Sequence, residues 1–195
     1  MKSTKSISFL LTALLTAVFA VPAFAQSAAS ETQRDINQQK RIESGLQSGQ
    51  LTAREAGQLE RQEAKIDRAE ANALKDGKLS GAEKARIQAM QNKVSKEIYV
   101  DKHNGKVGNP DSVSSQRMQA DVQRNVNQEQ RIENGIKSGS LSQREVGSLQ
   151  RGEAKVDKTE AQAARDGHVN AKEQARVNKV QNKVSGHIHR DKTNL

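Results

Sequence analysis

The 195-residue sequence has no cysteine and no tryptophan, only two prolines, and three phenylalanines and one tyrosine. Without cysteine there is no disulfide, no thiolate nucleophile and no cysteine-based metal site. Phe9, Phe19 and Phe24 all fall in the first 25 residues, so Tyr99 is the only such ring in the rest of the chain. A core built there must use Ile, Leu, Val, Met and Ala, which bury less area per residue. That predicts modest stability or dependence on self-association, which leaves room for a homo-oligomer. Base stacking on aromatic side chains is excluded, and no nucleic-acid partner is expected. No G-x-S-x-G, H-E-x-x-H or G-x-x-x-x-G-K motif occurs, and no catalytic residue can be nominated. The chain is expected not to be an enzyme, and to need no cofactor other than a divalent cation.

The N-terminus carries the three parts of a secretory signal. Lys2 and Lys5 give a positive start, an apolar run spans 7–21, and Pro22 precedes the small-x-small pattern Ala23-Phe24-Ala25. Cleavage after Ala25 is expected, with no transmembrane anchor left after processing and a periplasmic or secreted destination. Two of the 32 Lys and Arg residues leave with the signal, so 30 face 23 Asp and Glu in the processed chain. The bases and acids alternate along the sequence, the pattern of a solvated helix face.

A repeat governs the remainder. Arg41-Ile42-Glu43-x-Gly45 returns as Arg131-Ile132-Glu133-x-Gly135, and Gln91-Asn92-Lys93-Val94-Ser95 as Gln181-Asn182-Lys183-Val184-Ser185. Corresponding positions lie 90 residues apart from Arg34/Arg124 to Asn104/Asn194, and about half are identical. The expected organisation is a signal at 1–25, a first repeat at 26–104, a Gly/Ser/Pro linker at 105–116 and a second repeat at 117–195. Whether the repeats pack on each other is left open.

Each repeat is punctuated twice. Ser48-Gly49-Gln50-Leu51-Thr52-Ala53-Arg54-Glu55 ends one helix on glycine and opens the next with a Thr-x-x-Glu capping box. Asp76-Gly77-Lys78-Leu79-Ser80-Gly81-Ala82-Glu83 follows the same rule, and both joints recur 90 residues on. Good helix formers fill the intervals. The expectation is an all-α protein with six helices, at about 31–47, 53–75, 81–102, 117–137, 143–165 and 171–190. Leu59, Ile66 and Ala73, with Leu149, Val156 and Ala163, form heptad stripes suited to a three-helix bundle in each repeat.

Three features could hold a cation. The Asp-Gly joints resemble the second half of an EF-hand loop, Asp-Gly-x-aliphatic-x-x-x-Glu. That resemblance implies Asp76 and Asp166 as side-chain ligands and Glu83 and Glu173 as bidentate ligands. The first half of the pattern departs from it, with Asn72 or Gln162 and then Leu74 or Ala164 at ligand positions. Glycine stops followed by capping boxes account for the same residues without metal. His187 and Asp191, four residues apart on a helix, could share a cation such as zinc or copper. Glu63, Asp67 and Glu70 share one helical stripe, repeated by Glu153, Asp157 and Glu160, and like charges at that spacing need cations. Interhelical ion pairs with Arg41, Arg54 and Arg86 and their counterparts Arg131, Arg144 and Arg176 are the expected solution, with a divalent cation as the alternative.

Arg41-Ile42-x-x-Gly45, Ser48-Gly49-Gln50-Leu51-Thr52, Asp76-Gly77, and Ile98-Tyr99 through His103-Asn104 together resemble a group of small exported proteobacterial helical-repeat proteins. Leu51-Thr52-Ala53-Arg54-Glu55 is also loosely similar to the Leu-Thr-x-x-Gln motif of Spy/CpxP-type periplasmic proteins. The group supplies no activity to carry over; the positive charge, the thin core and the absence of catalytic sets lead to the expectation of an exported, non-enzymatic helical binding or structural protein of the bacterial envelope. Its partners would be protein clients, in a chaperone-like or stress-related role, or anionic envelope components. The alternative is a divalent-cation (calcium, zinc or copper) binding protein using the EF-hand-like joints or the acidic and His stripes.

Overall fold

The structure is a computed structural model that describes residues 23–193, with side chains from Ser27 onward. The expected signal at 1–25 lies outside the described residues apart from its last three positions. Six helices make up the fold: α1 (Ala23–Gln47), α2 (Ala53–Ala73), α3 (Gly81–Lys102), α4 (Val113–Ser138), α5 (Gln143–Ala163) and α6 (Ala171–Thr193). A single 3₁₀ turn, Leu74–Asp76, follows α2, and there is no strand among the described residues. None of the described helices is long and apolar enough to cross a membrane.

The joints behave as their local chemistry dictates. Thr52 Oγ1 accepts from Glu55 N at 3.2 Å while Thr52 N donates to Glu55 Oε2 at 3.1 Å. Ser80 with Glu83 and Ser142 with Glu145 close the same reciprocal box. Asn170 plays the part with Glu173, at 3.0 and 2.9 Å. Gly77 and Gly167 turn the chain at φ 84° and 86°, a left-handed conformation in which a Cβ would be strained. Helix α4 begins four residues before the expected 117. The serines read as linker composition are its cap, with Ser112 Oγ accepting from Ser115 N at 3.2 Å.

The two halves of the chain interleave. Helix α2 packs along α5 and α1 along α4, and these are the most extensive helix contacts in the molecule. Both pairs are antiparallel. Gly57 near the start of α2 meets Ala161 and Ala164 at the end of α5, and Gly147 near the start of α5 meets Ala71 and Leu74. Ile42 and Leu46 at the end of α1 share an apolar cluster with Met118 and Val122 at the start of α4. Ala28 and Ala29 share a second cluster with Ile132 and Ile136. Helices α3 and α6 close the sides, inserting Ile87, Val94 and Ile98, and Val177, Val184 and Ile188. The heptad stripes of α2 and α5 are therefore buried as expected, within one body built from both halves rather than in two separate bundles.

Helix α2 has four faces. At 100° per residue its side chains fall into successive stripes: Leu59, Ile66, Ala73; then Glu60, Glu63, Asp67, Glu70; then Gly57, Ala64, Ala71; then Arg61, Lys65, Arg68. The apolar stripe packs in the first cluster, and the small-residue stripe allows α5 to approach closely. A Cβ built on Gly57 would lie 2.7 Å from Ala164 Cβ, and one on Gly147 would lie 2.9 Å from Leu74 Cβ. That close seam leaves the basic stripe facing solvent and turns the acidic stripe into the interior.

Candidate metal centre

Thirteen Asp and Glu side chains are buried among the described residues, and no Lys or Arg is. Seven come from the facing stripes of α2 and α5: Glu60, Glu63, Asp67 and Glu70 against Glu153, Asp157 and Glu160. Asp35 of α1 and Asp121 and Glu129 of α4 join them. Burial of an ionised carboxylate is strongly unfavourable unless a cation, a proton or several donors compensate.

At one end of this core, a carboxylate oxygen from each of Glu60, Asp157 and Glu160 lies within 4.8 Å of the others. Oxygens bound to one ion at about 2.4 Å can be no more than about 4.8 Å apart, so a single hard cation fits the set. Amides orient these carboxylates. Asn125 Nδ2 donates to Glu160 Oε2 at 2.9 Å, Gln181 Nε2 to Glu160 Oε1 at 3.0 Å, and Gln39 Nε2 to Glu60 Oε2 at 3.0 Å. Glu60 Oε1 and Gln39 Oε1 are buried with no protein hydrogen-bond partner.

The opposite end uses the positions 90 residues away with several chemical exchanges. Gln150 stands where the first end has Glu60, Asp35 where it has Asn125, and Glu129 where it has Gln39. Gln150 Nε2 donates to Glu70 Oε2 at 2.9 Å, and Gln91 Nε2 donates to Asp35 Oδ1 at 2.8 Å. Between the ends lie Glu63 and Glu153, whose four carboxylate oxygens are all buried without a protein partner.

The titration behaviour follows from this crowding. Burial, partly offset by the Gln39 amide, pushes Glu60 up to about 8. Burial pushes Asp35 and Asp121 up to about 7, against the hydrogen bonds from Gln91 and Gln174 respectively. Glu63, Asp67, Glu70, Glu129, Glu153, Asp157 and Glu160 are held well above the ordinary carboxylate range, first by burial and then mainly by one another's charge. Arg131 opposes this at Glu153 without reaching it as an ion pair.

The expected interhelical ion pairs do not form among the described residues. Arg41 instead donates to Ser95 Oγ and O at 2.6 and 2.9 Å, and Arg131 to Ser185 Oγ and O at 2.7 and 3.1 Å. Arg54 reaches the Asp166 carbonyl at 2.9 Å. Guanidinium groups on the outer helix faces find acceptors there more cheaply than they could enter the core.

The joint residues sit elsewhere. Asp76 Oδ1 accepts from Lys78 N and Asp166 Oδ1 from His168 N, each at 2.9 Å. Glu83 and Glu173 accept from the cap nitrogens of Ser80 and Asn170. His187 and Asp191 are half-buried on α6. None of these six enters a three-member ligand group among the described residues. Sequence reasoning found the acidic stripe but missed Glu60, which extends it by one turn, and the buried acids Asp35 of α1 and Asp121 and Glu129 of α4. Gln91 and Gln181 had a signal in the repeated Gln-Asn-Lys-Val-Ser run. No protein-family model, curated protein or solved structure matches this chain.

Proposed function

We propose that this is an exported, non-catalytic protein that binds hard divalent cations in the carboxylate core of its bundle. In this reading a duplicated three-helix unit follows a cleaved signal, and the two copies enclose the site. The observation that carries it is the Glu60–Asp157–Glu160 set beside the unpartnered oxygens of Glu63 and Glu153. Holding the Glu60 carboxyl protonated at pH 7 against its ordinary value of 4.5 costs about 3 kcal/mol, and its buried neighbours are shifted in the same direction. A cation removes that cost and engages the free oxygens. The ligand set around it is all oxygen, without His or Cys, which favours calcium or manganese over copper or zinc.

Calorimetry on the processed, chelator-treated protein tests this. Calcium or manganese should bind with proton release and raise the melting temperature, and Asp157→Asn with Glu160→Gln should abolish both effects. Failure of calcium, manganese and magnesium at millimolar concentration to produce heat or a thermal shift would refute the proposal.

A further inference from the structure

Sinking ten acids into the core, with Glu31, Glu55 and Glu133 paired to lysines, leaves the surface more cationic than the composition suggests, since none of the thirty bases of the described chain is buried. Six of them share the side on which α2 and α5 run together. Arg61, Lys65 and Arg68 on one helix and Arg151, Lys155 and Lys158 on the other are all exposed. The acids of both helix bodies point to the opposite side. The six bases lie at 61–68 on α2 and 151–158 on α5, so at 1.5 Å per residue the band is about 11 Å long. None of its six bases forms an ion pair among the described residues. Two grooves of about 440 and 370 Å³ run along it, and Arg68 and Lys158 line both.

We infer that this face docks on the phosphate headgroups of an anionic phospholipid membrane. The six cations lie together on one side of two packed helices and can meet several phosphates at once. The exposed large apolar residues, Tyr99, Val100, Val107 and Val113, lie outside both helices, so contact is electrostatic and peripheral rather than insertive. The face lacks aromatic side chains for stacking on nucleic acid bases. The inference rests on surface charge alone and stands whether or not the core takes a cation.

Co-sedimentation of the processed protein with vesicles of equal phosphatidylglycerol and phosphatidylcholine tests it, with pure phosphatidylcholine vesicles alongside. Binding to the anionic vesicles only, weakening steeply between 50 and 300 mM salt, is expected. A variant with Arg61, Lys65, Arg151 and Lys155 changed to Gln should lose at least a hundredfold in partitioning, at about fivefold per charge. A second variant with Lys93, Lys96, Lys179 and Lys183 changed to Gln removes the same charge from α3 and α6 and should lose less than tenfold. Circular dichroism establishes that both variants are folded. Equal losses in the two variants, no binding at 50 mM salt, or tighter binding to duplex DNA than to the anionic vesicles would each overturn the inference.

Discussion

Acidification should stabilise the chelator-treated protein, the reverse of ordinary acid denaturation. Glu60 rises from 4.5 to about 8, and Asp35 and Asp121 from 3.8 to about 7. Between those limits the folded chain keeps protons that the unfolded chain has released, so stability falls as pH rises. The contribution is complete below about pH 4 and gone by about pH 8. One retained proton changes stability by about 1.4 kcal/mol per pH unit, so Glu60 alone removes about 3 kcal/mol between pH 5 and 7. For a chain of this length that is about 6–12 °C in melting temperature, and Asp35 and Asp121 act in the same direction. Glu55 sets the acid limit. Its burial is outweighed by hydrogen bonds from Asn104, Lys106 and Thr52, so its value is lowered and its contribution disappears as the pH falls through that value. Thermal melts followed at 222 nm in chelator at pH 5, 6, 7 and 8 should show a steady decline. A melting temperature that is flat, or higher at pH 8 than at pH 5, would refute the burial of these carboxyls.

Replacing Glu63 and Glu153 together by Gln should raise the melting temperature in chelator at pH 7.5 by several degrees and weaken calcium or manganese binding at least tenfold, because both side chains are buried with unpartnered oxygens; calorimetry and melts read the two effects. Gly57→Ala should cost about 1–3 kcal/mol in urea unfolding, since its Cβ would stand 2.7 Å from Ala164 Cβ, whereas Gly81→Ala meets nothing within 4 Å and should be neutral or stabilising. Residues 26–104 alone should sediment as a dimer or remain unfolded, because α2 and α1 depend on α5 and α4 for cover. A folded monomer of that half would contradict the interleaved packing.

The punctuation of the fold was legible in the sequence because it is local. A Thr or Ser three residues before Glu, after a glycine, carries its own hydrogen-bond partners, and the starts of α2, α3, α5 and α6 fall where the joints predict. The start of α4 was misplaced because Ser112, Ser114 and Ser115 have the composition of a tether and the geometry of a cap. The acidic stripe was legible as a stripe, but not the side it faces. Helical periodicity gives the angle between Glu63 and Lys65 without saying which of them meets another helix. The deciding information lay in Gly57, Ala64 and Ala71, a seam of small residues between the acidic and basic faces. Its partner, Gly147, Ala154 and Ala161, lies 90 residues away.

The exchanges between the two ends of the core bear on whether its charge is incidental. Gln39 donates its amide to Glu60 at 3.0 Å, and at the corresponding place Gln150 donates to Glu129 at 3.5 Å. The carboxylate has moved from α2 to α4 and the amide from α1 to α5, yet each pair still holds one acid and one amide. If the carboxylates were only tolerated in the core, replacing Glu60 by an amide at the second place would be relief enough, because an uncharged side chain is cheaper to bury. An acid supplied from the opposite helix undoes that relief. Asp35 and Asn125 do not balance in this way, which leaves one end with Glu60, Asp121, Asp157 and Glu160 and the other with Glu31, Asp35, Asp67, Glu70 and Glu129. Only at the first end do three carboxylates, Glu60, Asp157 and Glu160, each bring an oxygen within 4.8 Å of the others among the described residues, so a single cation is expected there and none at the second end. A single phase in a calorimetric calcium or manganese titration, weakened by Glu60→Gln and little changed by Glu129→Gln, would follow from this arrangement, and two phases, or one weakened more by Glu129→Gln than by Glu60→Gln, would contradict it.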